Sequence, residues 1–290
     1  MRVGVHPVSV TAEDGPASIA GELRRLAVAT EEAGCSDLLL MDHYLQLPVV
    51  GRIDEPVLEG YTTAGFLAAC TERVRLGLLV TGVTYRHPAL LVKIVTTLDV
   101  LSGGRATLAL GAAWFEREHR ALGVPFPPLA ERFERLEDTL RIAHQMWSDD
   151  DGPFEGHHHR LAETICSPPP VQRPHPPILV GGGGERKTLR LVARYADASN
   201  LIASSREEVA HKLAVLDQHC AAEDRDPGTI ERTLLVVPDP FADLEAFLDD
   251  LAAYADMEIA TVITVPPWGQ DAVAFVERLG EEVVPVAARL

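Results

Sequence analysis

Eight times along the chain a short, apolar, β-branched run is followed by a longer stretch with helical spacing. The runs are "RVGVH" (2–6), "DLLLMD" (37–42), "VRLGLLV" (74–80), "RATLALG" (105–111), "PILVGG" (177–182), "DASNLI" (197–202), "RTLLVV" (232–237) and "ATVITVP" (260–266). Their near-continuous apolar character suits parallel strands covered on both faces. Between them, Ile19, Leu23, Leu26 and Ala27 mark one amphipathic helix, and Phe133, Leu136, Leu140, Ala143 and Trp147 another. "LDVLSGGR" (98–105) reads as a helix end, a glycine turn and a new strand. Eight β/α units predict an α/β fold, a TIM (β/α)8 barrel formed as one domain by residues 1–290. A doubly wound sheet is the alternative. Two insertions exceed a minimal barrel: a loop at 43–58, and the segment 149–176, which has room for a small hairpin.

Composition narrows the function classes. The chain has 290 residues, 47% of them hydrophobic, enough for a sizeable core. A formal net charge of −17 argues against nucleic acid or an anionic membrane as partner. The four cysteines, at 35, 70, 166 and 220, form no C-x-x-C pair and suit a reducing compartment. "MRVGVHPVSV" has no signal-peptide pattern, and no run approaches a membrane span. A cytoplasmic protein acting on a small molecule is the expectation.

A barrel places its chemistry at the C-terminal strand ends. There stand His6, Asp42 and His43, the stretch Thr81–Gly82–Val83, then Gly111, Ala112, Ala113 and Trp114, and finally four consecutive glycines, Gly181, Gly182, Gly183 and Gly184. Small residues, histidines, a tryptophan and a glycine cradle suit a planar ligand with a phosphate. The glycines fit neither a Walker A loop nor G-x-G-x-x-G, since Arg186 and Lys187 follow instead. Bare backbone before a helix still favours an anion. Cations in a first helical turn are unfavourable by roughly 0.3–1 kcal/mol each, and a bound phosphate reverses that sign. The opposing reading is a flexible turn before a solvated basic face. His43 has the titration range of a general acid or base, although a lone histidine is often a hydrogen-bonded core residue. "GHHHR" (156–160) lacks a carboxylate or cysteine partner in the local sequence, so no metal site is expected.

"EEAGCSDLLLMDHY", the stretch "VRLGLLVTGVTYRHPALLVKIVTTLDVLSGGRATLALGAAWFEREHRALGVPFPP", "RFERLEDTLRIAHQMW", "FEGHHHRL" and "PPILVGGGGERKTLRLVARYAD" resemble the bacterial luciferase-like monooxygenase superfamily, and within it the coenzyme F420-dependent oxidoreductases. The resemblance runs over nearly the whole chain. It implies a luciferase-like TIM barrel holding F420, a phosphate-bearing deazaflavin, in a frequent homodimer. It puts the family histidine at His43, the phosphate loop at Gly181–Gly184 with Arg186 and Lys187, and ring contacts at Asp42, Thr81, Gly82, Val83, Gly111, Ala112 and Trp114. It also implies a strand-three bulge with a non-proline cis peptide, matched to Gly82–Val83. A neighbour such as Asp42 is expected to orient His43 as the acid/base. Ala109 and Ala113 stand where many relatives have glycine, Trp114 where some have glutamate, and Leu47 where the sugar-phosphate dehydrogenases have an aromatic residue. A sugar-phosphate substrate is therefore not supported. FMN-dependent monooxygenases of the superfamily, or a non-catalytic flavin-binding protein, are the alternatives.

Overall fold

A computed structural model describes residues 1–10, 15–202 and 205–290. The strands are β1 (Arg2–Val5), β2 (Asp37–Leu40), β3 (Arg75–Leu78), β4 (Thr81–Gly82), β5 (Ala106–Gly111), β6 (Phe154–Glu155), β7 (Arg160–Leu161), β8 (Ile178–Gly181), β9 (Ala198–Ile202), β10 (Glu231–Val236) and β11 (Ile259–Thr264). The helices are α1 (Ile19–Glu32), α2 (Gly60–Ala68), α3 (Pro88–Ser102), α4 (Glu116–Leu122), α5 (Leu129–Met146), α6 (Thr188–Tyr195), α7 (Arg206–Ala222), α8 (Leu244–Asp256), α9 (Ala272–Glu282) and α10 (Val284–Ala287).

Eight parallel strands run in the order β3-β2-β1-β11-β10-β9-β8-β5, and pairing of β3 with β5 closes them into a barrel. All eight expected runs are barrel strands. Leu38, Leu76, Leu108 and Ile178 are fully buried. Each such side chain contributes about 1.5–3 kcal/mol by leaving water. Helix α3 starts with Pro88 in its first turn and stops at Gly103, which takes the left-handed conformation (φ 70°) that a side chain would oppose.

The third barrel strand is broken. The Leu79 amide still donates to Leu40 O at 2.7 Å, but pairing resumes only at β4, where Thr81 and Gly82 oppose Leu110 and Gly111 of β5. The cis peptide lies at this break, at Leu79–Val80 and not at Gly82–Val83. Gly82 belongs to the resumed strand. It is bare for another reason, because a Cβ there would lie 2.9 Å from the Tyr85 ring.

Two buried helix carboxylates order the insertion at 149–176. Asp138 of α5 accepts from the amides of His157, His158 and His159 at 2.7–3.1 Å, fixing the β6–β7 hairpin. Asp99 of α3 accepts from the amides of Val171 and Gln172. No helix among the described residues is long and apolar enough to cross a membrane.

Candidate active site

At the C-terminal end of the barrel, the strand ends enclose a cavity of about 260 Å³. Asp42 and His43 enter it after β2, Leu79 and Val80 from the strand break, Gly111 to Trp114 after β5, and Gly181 and Gly182 after β8. Asn200, Ile202 and Leu235 complete the wall from β9 and β10. No lysine or arginine is among the lining residues.

The floor explains two glycines. Val80 turns its methyl groups into the space between β5 and β8. A Cβ on Gly111 would lie 2.7 Å from Val80 Cγ2, and one on Gly181 2.7 Å from Val80 Cγ1. Gly182 has a φ of +118°, which L side chains rarely adopt, and a Cβ on Gly184 would sit 2.8 Å from Thr188 Oγ1. Gly183 is different. A Cβ there would meet only Lys212 and Leu201 carbons at 3.7–3.9 Å, ordinary contact distances, and its φ is not in the left-handed region. Three of the four glycines thus have reasons internal to the fold; Gly183 has none.

Past this loop, Arg186 and Lys187 are exposed ahead of α6. Lys187 lies 5.1 Å over the Phe133 ring, and Arg186 has no ion pair among the described residues. Gly183, Gly184, Arg186 and Lys187 do not line the cavity. They follow Gly182, which does, directly in the chain. Thr81 and Val83 are buried behind the wall, Thr81 hydrogen-bonded to Tyr61 Oη at 2.7 Å.

His43 enters the cavity with its Nδ1 directed at Glu118 Oε2, 3.2 Å away, and the edges of the Trp114 and Phe115 rings beside it. Asp42 does not orient His43. Its carboxylate takes Arg86 Nη1 on both oxygens at 2.8–2.9 Å and the Gly82 amide at 3.0 Å, which ties β2 to β4. Burial pushes the Asp42 carboxyl up, against the pull of Arg86 and Gly82. Burial likewise works against the Arg86 charge, but Asp42 and Glu59 outweigh it and hold the guanidinium above its usual range.

The main site residue not read from the sequence is Glu118 on α4. Its side chain is fully buried. Oε1 accepts the Tyr44 amide at 2.5 Å and the Leu45 amide at 2.7 Å. Oε2 accepts the Tyr85 hydroxyl and lies within hydrogen-bond distance of His43 Nδ1. Burial alone would raise this carboxyl, yet these hydrogen bonds hold it below the usual carboxylate range. Arg132 was also missed. It donates to the Ala112 and Ala113 carbonyls and holds the turn in which Ala113 takes a φ of 57°. His6 lies deeper, hydrogen-bonded through Nδ1 to Leu39 O at 2.7 Å, with burial lowering its pKa to about 4.

The described residues thus form a closed (β/α)8 barrel with a histidine–glutamate pair and a glycine-lined rim at its mouth. The chain belongs to the luciferase-like monooxygenase family, whose model matches residues 1–265. It is 31% identical over 217 residues to an F420-dependent glucose-6-phosphate dehydrogenase of Kineococcus radiotolerans, covering 74% of this chain and 62% of that protein. It is 28% identical over 200 residues to an FMNH2-dependent dimethylsulfone monooxygenase of Pseudomonas putida, covering 69% and 54%. The matched stretch is thus less than two thirds of either relative. The fold matches an F420-dependent secondary alcohol dehydrogenase in complex with an F420–acetone adduct, with a TM-score of 0.82 at 15% identity over 99% of this chain and 98% of that one.

Proposed function

We propose that this chain is an F420-dependent oxidoreductase, transferring a hydride between the deazaflavin and a small uncharged organic substrate. The observation that carries the reading is Gly183, bare backbone next to the cavity-lining Gly182 with no packing reason to be bare, followed by exposed Arg186 and Lys187. That is the chemistry of a phosphate cradle. Both F420 and FMN carry a phosphate. F420 is preferred because His43 and Glu118 form a proton-handling pair, which a hydride donor needs beside it, and because F420-dependent dehydrogenases are among the relatives. The ring would lie against Leu79, Val80, Gly82, Gly111 and Ala112, with Trp114 at its edge.

When bound, F420 supplies a carbon centre that gives or takes a hydride. The protein manages the remaining proton. With Nδ1 occupied by Glu118, His43 Nε2 is the ring nitrogen left for the cavity. In reduction the imidazolium form donates its Nε2 proton to the substrate atom next to the carbon that takes the hydride (oxygen, nitrogen or, in an alkene, carbon); in oxidation the neutral ring takes that proton back on Nε2. No cation lines the cavity to hold a phosphate or carboxylate on the substrate, so carbonyls, imines and electron-poor alkenes fit better than sugar phosphates. A second copy of the chain as a homodimer partner, and a cytoplasmic setting, are part of the same proposal. The test is an equilibrium titration with F420 and with FMN, followed by cofactor absorbance. Saturable F420 binding with weak FMN binding supports it. Stoichiometric FMN binding with oxygen consumption on reduction hands the chain to the monooxygenase reading.

A further inference from the structure

Glu118 stands 75 residues from His43 in sequence, on a helix after a different strand. Its two oxygens face different kinds of partner. Oε1 meets two backbone amides, which can only donate. That oxygen therefore stays an acceptor, and any proton on the carboxyl would have to sit on Oε2, facing His43 and Tyr85. With two amides on Oε1 and the Tyr85 hydroxyl on Oε2 already donating, the ionised form is the satisfied one. An ionised Oε2 requires a hydrogen on the nitrogen it meets.

We propose that Glu118 is the positioning residue of the site: it fixes His43 as the Nδ1–H tautomer, with Nε2 presented to the cavity, and it ties the start of the 43–58 loop to α4. Tyr85 shares the carboxylate and packs against His119, whose Nε2 lies 2.6 Å from Thr84 Oγ1 and whose Nδ1 lies 2.9 Å from Phe115 O. The Tyr44 ring packs on Tyr85 at 5.1 Å. The other charged or titratable neighbours of His43 are Asp42, turned away to Arg86, and His6, deeper in the barrel. None of these competes for Nδ1. The catalytic meaning of the tautomer rests on the proposed acid/base role of His43, but the tautomer itself does not.

The experiment is long-range 15N–1H NMR of the histidines in the protein without cofactor, with His43 assigned by its loss in His43→Asn. The parent should show Nδ1 protonated and Nε2 bare at high pH. Glu118→Gln keeps an oxygen for the two amides but places an NH2 group at Nδ1, so the tautomer should invert to Nε2–H. With F420 and a competent substrate, Glu118→Gln should lower kcat at least tenfold with KM changed by less than threefold. A parent with Nε2–H, or an unchanged tautomer in Glu118→Gln, overturns the proposal. If Glu118→Gln does not fold, the parent spectrum alone decides. Should the tautomer be as expected while His43→Ala keeps parental turnover, the acid/base role fails and the positioning contact stands.

Discussion

Gly183 and Gly181 sit two residues apart on one loop, yet alanine should act in opposite ways at each. At Gly183 the new methyl meets Lys212 and Leu201 at 3.7–3.9 Å, and the backbone already suits an L residue. Removing a glycine there narrows the unfolded ensemble and should stabilise the protein by about 0.4–1 kcal/mol. At Gly181 the methyl falls 2.7 Å from Val80 Cγ1. Val80 is β-branched and has few rotamers to yield with, so overpacking should cost about 1–3 kcal/mol. Val80→Ala in the same chain should recover much of that loss. The cofactor reads the two positions differently from stability. If a phosphate rests on the Gly183 backbone, the added methyl displaces it and weakens a charge-assisted hydrogen bond of roughly 1.5–3 kcal/mol. Cofactor Kd should rise about ten- to a hundredfold while the melting temperature without cofactor holds or rises. Denaturant melts and absorbance titrations measure both. A Gly183→Ala protein that binds F420 like the parent would refute the reasoning, because no protein contact accounts for that glycine.

Arg186→Ala should weaken cofactor binding less than Gly183→Ala does, with a larger loss at low salt than at high salt, since an exposed charge is screened; equal losses at both would remove Arg186 from the phosphate site. His6 sets an acid limit on stability. Its pKa is about 4 folded against 6.5 unfolded, so below 6.5 the unfolded chain binds the extra proton. The stability tied to a neutral His6 is complete above about pH 6.5 and is lost as pH falls toward 4, a loss of roughly 3 kcal/mol at most. Denaturant midpoints between pH 7 and 4.5 should fall less steeply for His6→Asn than for the parent, and parallel slopes would contradict this.

The barrel was legible because eight apolar runs repeat with helical stretches between them, and burial on both faces leaves that mark on each run. For the same reason the strand ends place Asp42, His43 and Trp114 at the mouth, where they line the cavity. What the sequence hides is which group fills the space beside a glycine. Gly82 reads as room for a flat ligand; it does line the cavity, but the Tyr85 ring already excludes a Cβ there. Gly181 reads as part of a phosphate cradle, and Val80 independently leaves no room for a Cβ there. The resemblance puts the cis bond at Gly82–Val83, where glycine suits backbone lying close to a flat ring, whereas the bond lies between two ordinary apolar residues, Leu79 and Val80. Asp42 looked like the partner of His43 because the two are adjacent, but consecutive residues at a strand end point apart. Glu118 lies in "FEREHR", among four other charged or titratable residues that give it no distinguishing local mark, and only closure of the barrel brings that helix against the loop after β2.

Hydride transfer itself is the most direct measurement. Reduced F420 would be mixed with the parent protein and a panel of uncharged carbonyls, imines and electron-poor alkenes, and its reoxidation followed by absorbance in single turnovers without oxygen. The account predicts substrate-dependent reoxidation by the parent, and a rate about 10²–10⁴-fold lower in His43→Ala with F420 affinity changed only a few-fold. Reoxidation at the parental rate in His43→Ala, or F420 that binds and is never turned over while reduced FMN consumes oxygen, would contradict it.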